Sequence, residues 1–169
     1  MRKFMIVFSL VALAAPVAAF ADAPPSPAQT AQKMCVSERT SLGAAFATTY
    51  RTFGKCVSLH AKAAKAAVNN AAKSCKAQQA DANFATDHGG KTFAQFYGST
   101  KNGKGSPQNA MGKCVSQAVQ SAVAAQAKAS KAALKSCLAD RKANKSSFAT
   151  TYGTGRDALS KCVTAKSTT

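Results

Sequence analysis

The stretch CVSLHAKAAKAAVNNAAKSC, from Cys56 to Cys75, decides how this chain folds. Alanine and lysine, both good helix formers, make up much of it, and no proline occurs between residues 28 and 106. Apolar side chains recur in steps of four and three residues at Val57, Ala61, Ala64, Val68, Ala71 and Cys75. Because this spacing places side chains on one side of a helix, the sequence predicts a long amphipathic helix over residues 55–80.

A second long helix is predicted at about residues 109–144. Its apolar side carries Met111, Val115, Ala118, Val119, Ala122, Ala129, Ala133 and Cys137. Lysines gather on the opposite side at Lys113, Lys128, Lys131, Lys135, Lys142 and Lys145. With shorter helices expected at about 27–42 and 156–166, the predicted fold class is all-α: an antiparallel helical repeat or bundle, stapled by disulfides, with two long Ala/Lys-rich helices flanked by shorter ones.

The six cysteines mark three repeated units. Three of them, Cys35, Cys75 and Cys137, end the pattern A-x-K-x-C. The other three, Cys56, Cys114 and Cys162, lie in K-C-V-S/T. The two types alternate along the chain. Between the two cysteine types of each unit stands F-A-x-x-Y, at residues 46–50, 93–97 and 148–152. The units therefore cover about 32–56, 73–114 and 133–164 of a single helical domain over residues 28–169.

Helix geometry restricts how the cysteines pair. Cys56 and Cys75 lie about 28 Å apart on one helix, whereas the Cα atoms of a disulfide are roughly 6 Å apart. If the long helices are antiparallel, Cys75 meets Cys114 at one end of the bundle. The remaining four cysteines collect at the other end, where three pairings are open; the repeat favours Cys35–Cys56 and Cys137–Cys162.

Residues 1–21 have the pattern of a secretory signal peptide. Arg2 and Lys3 precede an apolar run of about 12 residues, and Ala19-Phe20-Ala21 is a cleavage motif. We therefore expect a secreted, periplasmic or envelope-associated protein that begins after Ala21 with a proline-rich leader, residues 22–27. An even number of cysteines in a small exported chain is typical of disulfides, so all six are assigned to them.

Charge and a thin core dominate the composition. The chain carries 23 Lys and Arg against 6 Asp and Glu, a net charge of +17, or +15 once Arg2 and Lys3 are removed with the signal peptide. Strong core-forming residues are few and alanine supplies most of the apolar surface. Since so few large apolar residues normally mark a disordered chain, we expect the disulfides to be essential for folding and reduction to melt the protein.

Motifs for catalysis or metal binding are missing from the sequence. It contains no C-x-x-C, G-x-S-x-G, H-E-x-x-H or phosphate-binding glycine loop. His60 and His88 are the only histidines and neither recurs between units, so both are interpreted as solvent-exposed side chains without partners. The predicted protein is not an enzyme and has neither a metal site nor a cofactor.

The repeated aromatic pairs have two interpretations. With a spacing of four, the Phe and Tyr of each F-A-x-x-Y segment lie on one face of a helical turn. They either pack over the helix ends as a small additional core, which we favour, or form an exposed platform that stacks on sugars or bases.

The lysines give the only functional signal. Eight of them form a weak candidate anion-binding set: Lys62, Lys65, Lys73, Lys76, Lys128, Lys131, Lys135 and Lys142. The leading hypothesis is a non-enzymatic protein that binds an anionic envelope polymer or membrane surface through these faces, without specific recognition of nucleic acid. A membrane-active or antimicrobial helical polypeptide and a structural envelope protein without a ligand are the alternatives. The competing interpretation of the lysines is that they only keep an alanine-rich helix soluble and bind nothing.

The motif order resembles that of a group of exported bacterial Cys-repeat proteins. It runs F-A-x-x-Y-G, then G/S-K-C-V-S/T, then an Ala/Lys-rich stretch ending in a second cysteine, over about residues 32–164. Those proteins carry Asn-Ala-Phe-Gly before Lys-Cys-Val, which Asn109-Ala110-Met111-Gly112 approaches, Phe53-Gly54 half preserves and Leu159-Ser160 lacks. No activity is known to us for that group, so the resemblance implies a repeat architecture and no function.

Overall fold

The chain folds as a helical bundle stapled by three disulfides, as predicted. The computed structural model describes residues 23–101 and 104–167, with only the backbone at residues 99–101 and 104–108; the predicted signal peptide lies outside these residues. The elements are α1 (Pro27–Leu42), α2 (Ala45–Tyr50), α3 (Phe53–Ala80), α4 (Phe84–Asp87), α5 (Phe93–Tyr97), β1 (Ser99–Lys101), β2 (Lys104–Gln108), α6 (Ala110–Ala143), α7 (Lys145–Tyr152) and α8 (Ala158–Ser167).

Local capping chemistry sets where the first and longest helices begin. Ser26 caps α1 through a reciprocal pair of hydrogen bonds with Gln29, and Pro27 occupies the first turn, where its missing N–H costs nothing. The Thr52 hydroxyl accepts from the Lys55 amide, 3.2 Å away, at the start of α3. Part of the predicted proline-rich leader is packed against the bundle, since Pro25 is buried and Ser26 belongs to the cap.

Helices α1, α3 and α6 pack against one another, and α8 lies along α6. One apolar cluster contains Cys35, Cys56, Cys137 and Cys162 together with Tyr50. A second cluster contains Cys75 and Cys114, the end of α3 and the start of α6. The end of α3 therefore meets the start of α6, which makes the two long helices antiparallel.

The predicted disulfide pairing is confirmed. Cys35 pairs with Cys56, Cys75 with Cys114 and Cys137 with Cys162, at Cα separations of 5.9, 5.9 and 6.1 Å. Three disulfides in a chain of this size indicate an oxidising compartment. None of the helices in the described part of the chain is long and apolar enough to cross a membrane.

The apolar seam predicted for α3 is wrong in its first turns. Ala61 is exposed, whereas the neighbouring His60 is fully buried, so the inward side runs through Cys56, His60 and Ala64. His60 rather than Ala61 faces inward because this position, next to the Cys35–Cys56 disulfide, lies opposite the carboxylate of Glu38 on α1.

The aromatic pairs pack as a core, which excludes the platform interpretation for their phenylalanines. Phe46, Phe93 and Phe148 are all at least nine-tenths buried. The Phe and Tyr ring centroids are 5.2, 4.9 and 5.0 Å apart in the first, second and third segments, and the two ring planes are inclined by 50–52°. The Phe and Tyr of all three F-A-x-x-Y segments thus pack against each other with nearly the same geometry.

Strands β1 and β2 form an antiparallel two-stranded ribbon that was not predicted from the sequence. Ser99 is opposite Gln108, and Lys101 is opposite Lys104. Residues 102 and 103 lie outside the described part of the chain. These two strands are the only β structure in the described ranges.

Candidate functional site

A basic groove lies at the end of the bundle formed by α2, the end of α6, and α7 and α8. Its volume is about 870 Å³. Five exposed cationic side chains line it: Arg51, Arg141, Lys142, Lys145 and Arg156. No carboxylate is among the lining residues, so a groove of this size carries only positive charge.

The groove also has an apolar floor. Phe148, Ala158 and Leu159 are buried beneath it, and the Leu138 side chain, 41% exposed, lies open at its surface. Gly153, with a φ of 93°, ends α7 and turns the chain toward Arg156. The groove thus combines an apolar surface with a ring of cations, which suits a ligand that has both anionic groups and a carbon skeleton.

Arg51 occupies a backbone conformation that disfavours it. Its φ is 66°, in the region where a side chain costs about 1–2 kcal/mol relative to glycine. The residue that follows F-A-x-x-Y in the other two units is a glycine, Gly98 or Gly153. Arg51 therefore stands where the other units have glycine, in a conformation that costs free energy, and its side chain lines the groove.

Two acidic residues, Asp140 and Asp157, are adjacent in sequence to groove cations, and both are engaged elsewhere, Asp140 in an ion pair with Lys166. Asp157 follows Arg156 and forms an ion pair with Lys55 at the start of α3, with Nζ and Oδ2 3.2 Å apart. This pair joins α3 to the loop before α8. It leaves Arg156 as the charge that this loop contributes to the groove.

The eight lysines predicted from the sequence are exposed on α3 and α6. Of these, Lys142 alone lines the groove, and the other seven lie elsewhere on the two helices. Lys142 is thus the one predicted anion-binding residue in the groove, and the three groove arginines were not predicted. Lysine dominates the cationic residues of the sequence, and Arg51 stands out only when the residues after F-A-x-x-Y in the three units are aligned.

A buried polar cluster forms a second unusual feature, where α1, α3 and α6 meet. Glu38, His60, Tyr50 and Ser130 are all essentially inaccessible to solvent. The Ser130 hydroxyl donates to Glu38 Oε1 over 2.5 Å, and His60 Nε2 lies 3.1 Å from Glu38 Oε2. The Tyr50 hydroxyl is 3.3 Å from His60 Nε2.

The surroundings of Glu38 keep it ionised. Burial by itself raises the pKa of the carboxyl, but the hydrogen bond and charge of His60 and the hydrogen bond of Ser130 outweigh it, so the pKa lies below its usual value. Burial and the Glu38 charge raise the pKa of Tyr50, which keeps the phenol protonated. The cluster contains the residue types of a catalytic site, but its complete burial gives no access to a substrate.

The Glu38–His60 pair of the cluster has a counterpart at the equivalent positions of the third unit. In the first unit, Glu38 stands three residues after the first cysteine and His60 four residues after the second. In the third unit, the same two positions are occupied by Asp140 and Lys166. Lys166 Nζ donates to Asp140 Oδ2 over 2.6 Å, at partly exposed side chains. The two helices joined by each of these disulfides are thus also joined by an acid–base pair.

The second unit has a different version of the same contact. Gln78 stands three residues after Cys75, and its Oε1 accepts a hydrogen bond of 2.9 Å from Tyr97 of the F-A-x-x-Y segment. Ala118 occupies the position four residues after Cys114, so no cation is present there. The first unit is the one in which the polar contact is sealed from solvent, because α6 covers it with Ser130.

The prediction that both histidines are exposed and without partners is wrong. His60 belongs to the buried cluster. The His88 ring stacks on Phe84 with centroids 3.8 Å apart, and its Nδ1 is 2.8 Å from the Phe84 carbonyl oxygen. Histidine is a polar residue, so a hydrophobic periodicity assigns it to the solvent-facing side of a helix. Hydrogen-bonding partners on other helices allow His60 to be buried in the core.

Comparisons with known proteins give no further assignment. No protein-family model, curated protein or solved structure matches this chain.

Proposed function

We propose that this is an exported, disulfide-stabilised helical protein that binds an anionic polymer of the cell envelope through the basic groove and performs no chemistry. The observation that carries this proposal is the groove itself. Three of the four arginines that follow residue 21 line it, at Arg51, Arg141 and Arg156, and no acidic residue does.

Arginine gives the groove a capacity that exposed lysines lack. Each guanidinium offers a planar fork of donors that matches a phosphate or carboxylate group, whereas an ammonium acts as a point charge. The Leu138 side chain and the apolar floor supply contact for the carbon skeleton that links successive anionic groups. We therefore favour a polymer with regularly spaced phosphate or carboxylate groups over a smooth charged surface.

The exposed lysines of α3 and α6 have a supporting role in this proposal. A net charge of +15 after removal of the signal peptide creates a long-range field that raises the rate of encounter with anions. Such attraction is screened within about 10 Å at 0.1 M salt, so lysines alone give binding that salt removes. Guanidinium contacts inside the groove then determine which anion is retained.

Arg51→Gly tests the proposal sharply. It removes one groove charge and also relieves the strained backbone, so we expect stability to be equal or higher while binding weakens. The measurement is co-sedimentation of the oxidised protein, residues 22–169, with isolated cell envelopes at low and physiological salt. Weaker binding together with unchanged thermal stability would show that Arg51 acts on the ligand rather than on the fold.

A matched pair of triple variants separates the groove from the helix faces. Arg51→Gln, Arg141→Gln and Arg156→Gln together remove three charges, and Lys62→Gln, Lys65→Gln and Lys73→Gln remove the same number from α3. We expect the groove variant to lose at least about tenfold more affinity, because a bidentate contact contributes more than a screened surface charge. Equal losses would overturn the groove as the site.

Vesicles of anionic lipid provide the test against the membrane-active alternative. We expect salt-sensitive adsorption without release of an enclosed dye, because the exposed faces of the long helices are rich in alanine and lysine and insert poorly. Dye release at concentrations that saturate envelope binding would favour the membrane-active function instead.

A further inference from the structure

Helices α1 and α3 bring four possible metal ligands together around the Cys35–Cys56 disulfide. Cys35 and Glu38 are three residues apart on α1, and Cys56 and His60 are four apart on α3, spacings that place each pair on one face of its helix. All four side chains are fully buried. The pattern is therefore C-x₂-E on one helix facing C-x₃-H on the next.

Three of the four ligand atoms already lie close together in the oxidised protein. One donor atom each of Glu38, Cys56 and His60 all lie within 4.8 Å of one another. Cys56 Sγ is 3.7 Å and His60 Nε2 is 3.1 Å from Glu38 Oε2. Bonds of about 2.3 Å to sulfur and about 2.0–2.1 Å to nitrogen or oxygen separate tetrahedral ligands by roughly 3.3–3.8 Å.

We propose that reduction of the Cys35–Cys56 disulfide creates a closed zinc site formed by Cys35, Cys56, His60 and Glu38. In the oxidised protein the two sulfur atoms are bonded to each other, 2.07 Å apart, and cannot serve as thiolate ligands. The disulfide and the zinc ion are thus alternative links between the same two helices. Two thiolates, an imidazole and a carboxylate with no open position make the site structural rather than catalytic.

The chemistry balances with a trialkylphosphine as reductant. The phosphine supplies two electrons, takes its oxygen from water and becomes a phosphine oxide, while the two water protons convert the disulfide to two thiols. Binding of Zn²⁺ then releases one proton from each thiol. The imidazole binds in its neutral form through a lone pair at Nε2, and Glu38 coordinates as a carboxylate.

The first unit alone has this capacity among the three. The matching positions are Gln78 and Ala118 in the second unit, neither of which is a strong zinc ligand. In the third unit they are Asp140 and Lys166, and the lysine ammonium is held by Asp140. The third unit therefore serves as a control within the same chain, with an identical disulfide and an acid but no imidazole.

The test is metal uptake by the protein, residues 22–169, after complete reduction by the phosphine. We expect one Zn²⁺ per chain by native mass spectrometry, recovery of helical circular dichroism lost on reduction, and none bound by the oxidised protein. Co²⁺ in place of Zn²⁺ should give the absorption of a tetrahedral thiolate complex. Because metal binding drives folding at such sites, uptake is measurable even where the reduced chain is unfolded.

Paired cysteine variants locate the site. Cys35→Ser with Cys56→Ser should abolish uptake, whereas Cys137→Ser with Cys162→Ser should retain it. His60→Ala should weaken Zn²⁺ affinity at least about tenfold, the smallest loss expected for a group that supports a zinc site. Equal loss in both cysteine pairs, unchanged affinity in His60→Ala, or uptake by the oxidised protein would each overturn the proposal.

Discussion

Replacement of Glu38 by alanine should destabilise this protein far more than the same replacement at its repeat equivalent, Asp140. Glu38 is completely buried, and it accepts hydrogen bonds from Ser130 and His60. Hydrogen bonds to a charged group contribute about 1.5–3 kcal/mol each, so two of them give roughly 3–6 kcal/mol. Removal of the carboxylate also relieves its own burial cost, which brings the expected loss to about 3–5 kcal/mol.

Asp140 offers a matched control, because it stands three residues after its cysteine, as Glu38 does. Its ion pair with Lys166 lies at side chains that are 48% and 35% exposed. Water and salt screen such a pair, so Asp140→Ala should leave the unfolding midpoint nearly unchanged. The two substitutions therefore compare one motif position in a buried and an exposed setting.

Urea unfolding of the oxidised proteins, followed by far-UV circular dichroism, measures the difference. With a slope of about 1–3 kcal/mol per molar urea, a loss of 3 kcal/mol lowers the midpoint by roughly 1–3 M. Shifts of equal size in Glu38→Ala and Asp140→Ala would refute the reasoning, because burial would then have no influence on the strength of the contact.

Three further predictions concern stability. Because folding lowers the pKa of Glu38 below its ordinary 4.5, the free energy of unfolding should fall as the pH drops from 4.5 through the native value, and a pH series on Glu38→Gln should show a smaller loss. Complete reduction and alkylation should melt the helices, since each disulfide contributes roughly 3–4 kcal/mol; an unchanged thermal melt would contradict this. Phe93→Ala should cost about 3–5 kcal/mol by urea titration, whereas Phe96→Ala, at a 45% exposed side chain, should cost far less.

Sequence reasoning succeeded where the controlling interactions are local. The predicted bounds 27–42, 55–80 and 109–144 agree within two residues with α1, α3 and α6, because periodicity, proline position and capping residues act over a few positions. The disulfides followed from helix length and the repeat. The ribbon at 99–108 was missed because its short strands have no apolar alternation to reveal them.

The candidate sites were predicted only in part, since they depend on contacts between distant segments. His60 is buried because Glu38, 22 residues earlier, and Ser130 of α6 complete its surroundings. The groove brings Arg51 to Arg141 and Arg156 from three separate parts of the chain. The available signals were the arginine in the place of a repeat glycine and the acid–base positions next to the cysteines, and both required alignment of the units with one another.

The disulfides join the cysteines strictly in the order in which they occur along the chain, first with second, third with fourth and fifth with sixth. If the polypeptide enters an oxidising compartment from its amino terminus, each native bond can therefore form before the next cysteine follows. An unselective oxidant that joins successive thiols as they emerge then makes every bond correctly, and a disulfide isomerase has nothing to repair.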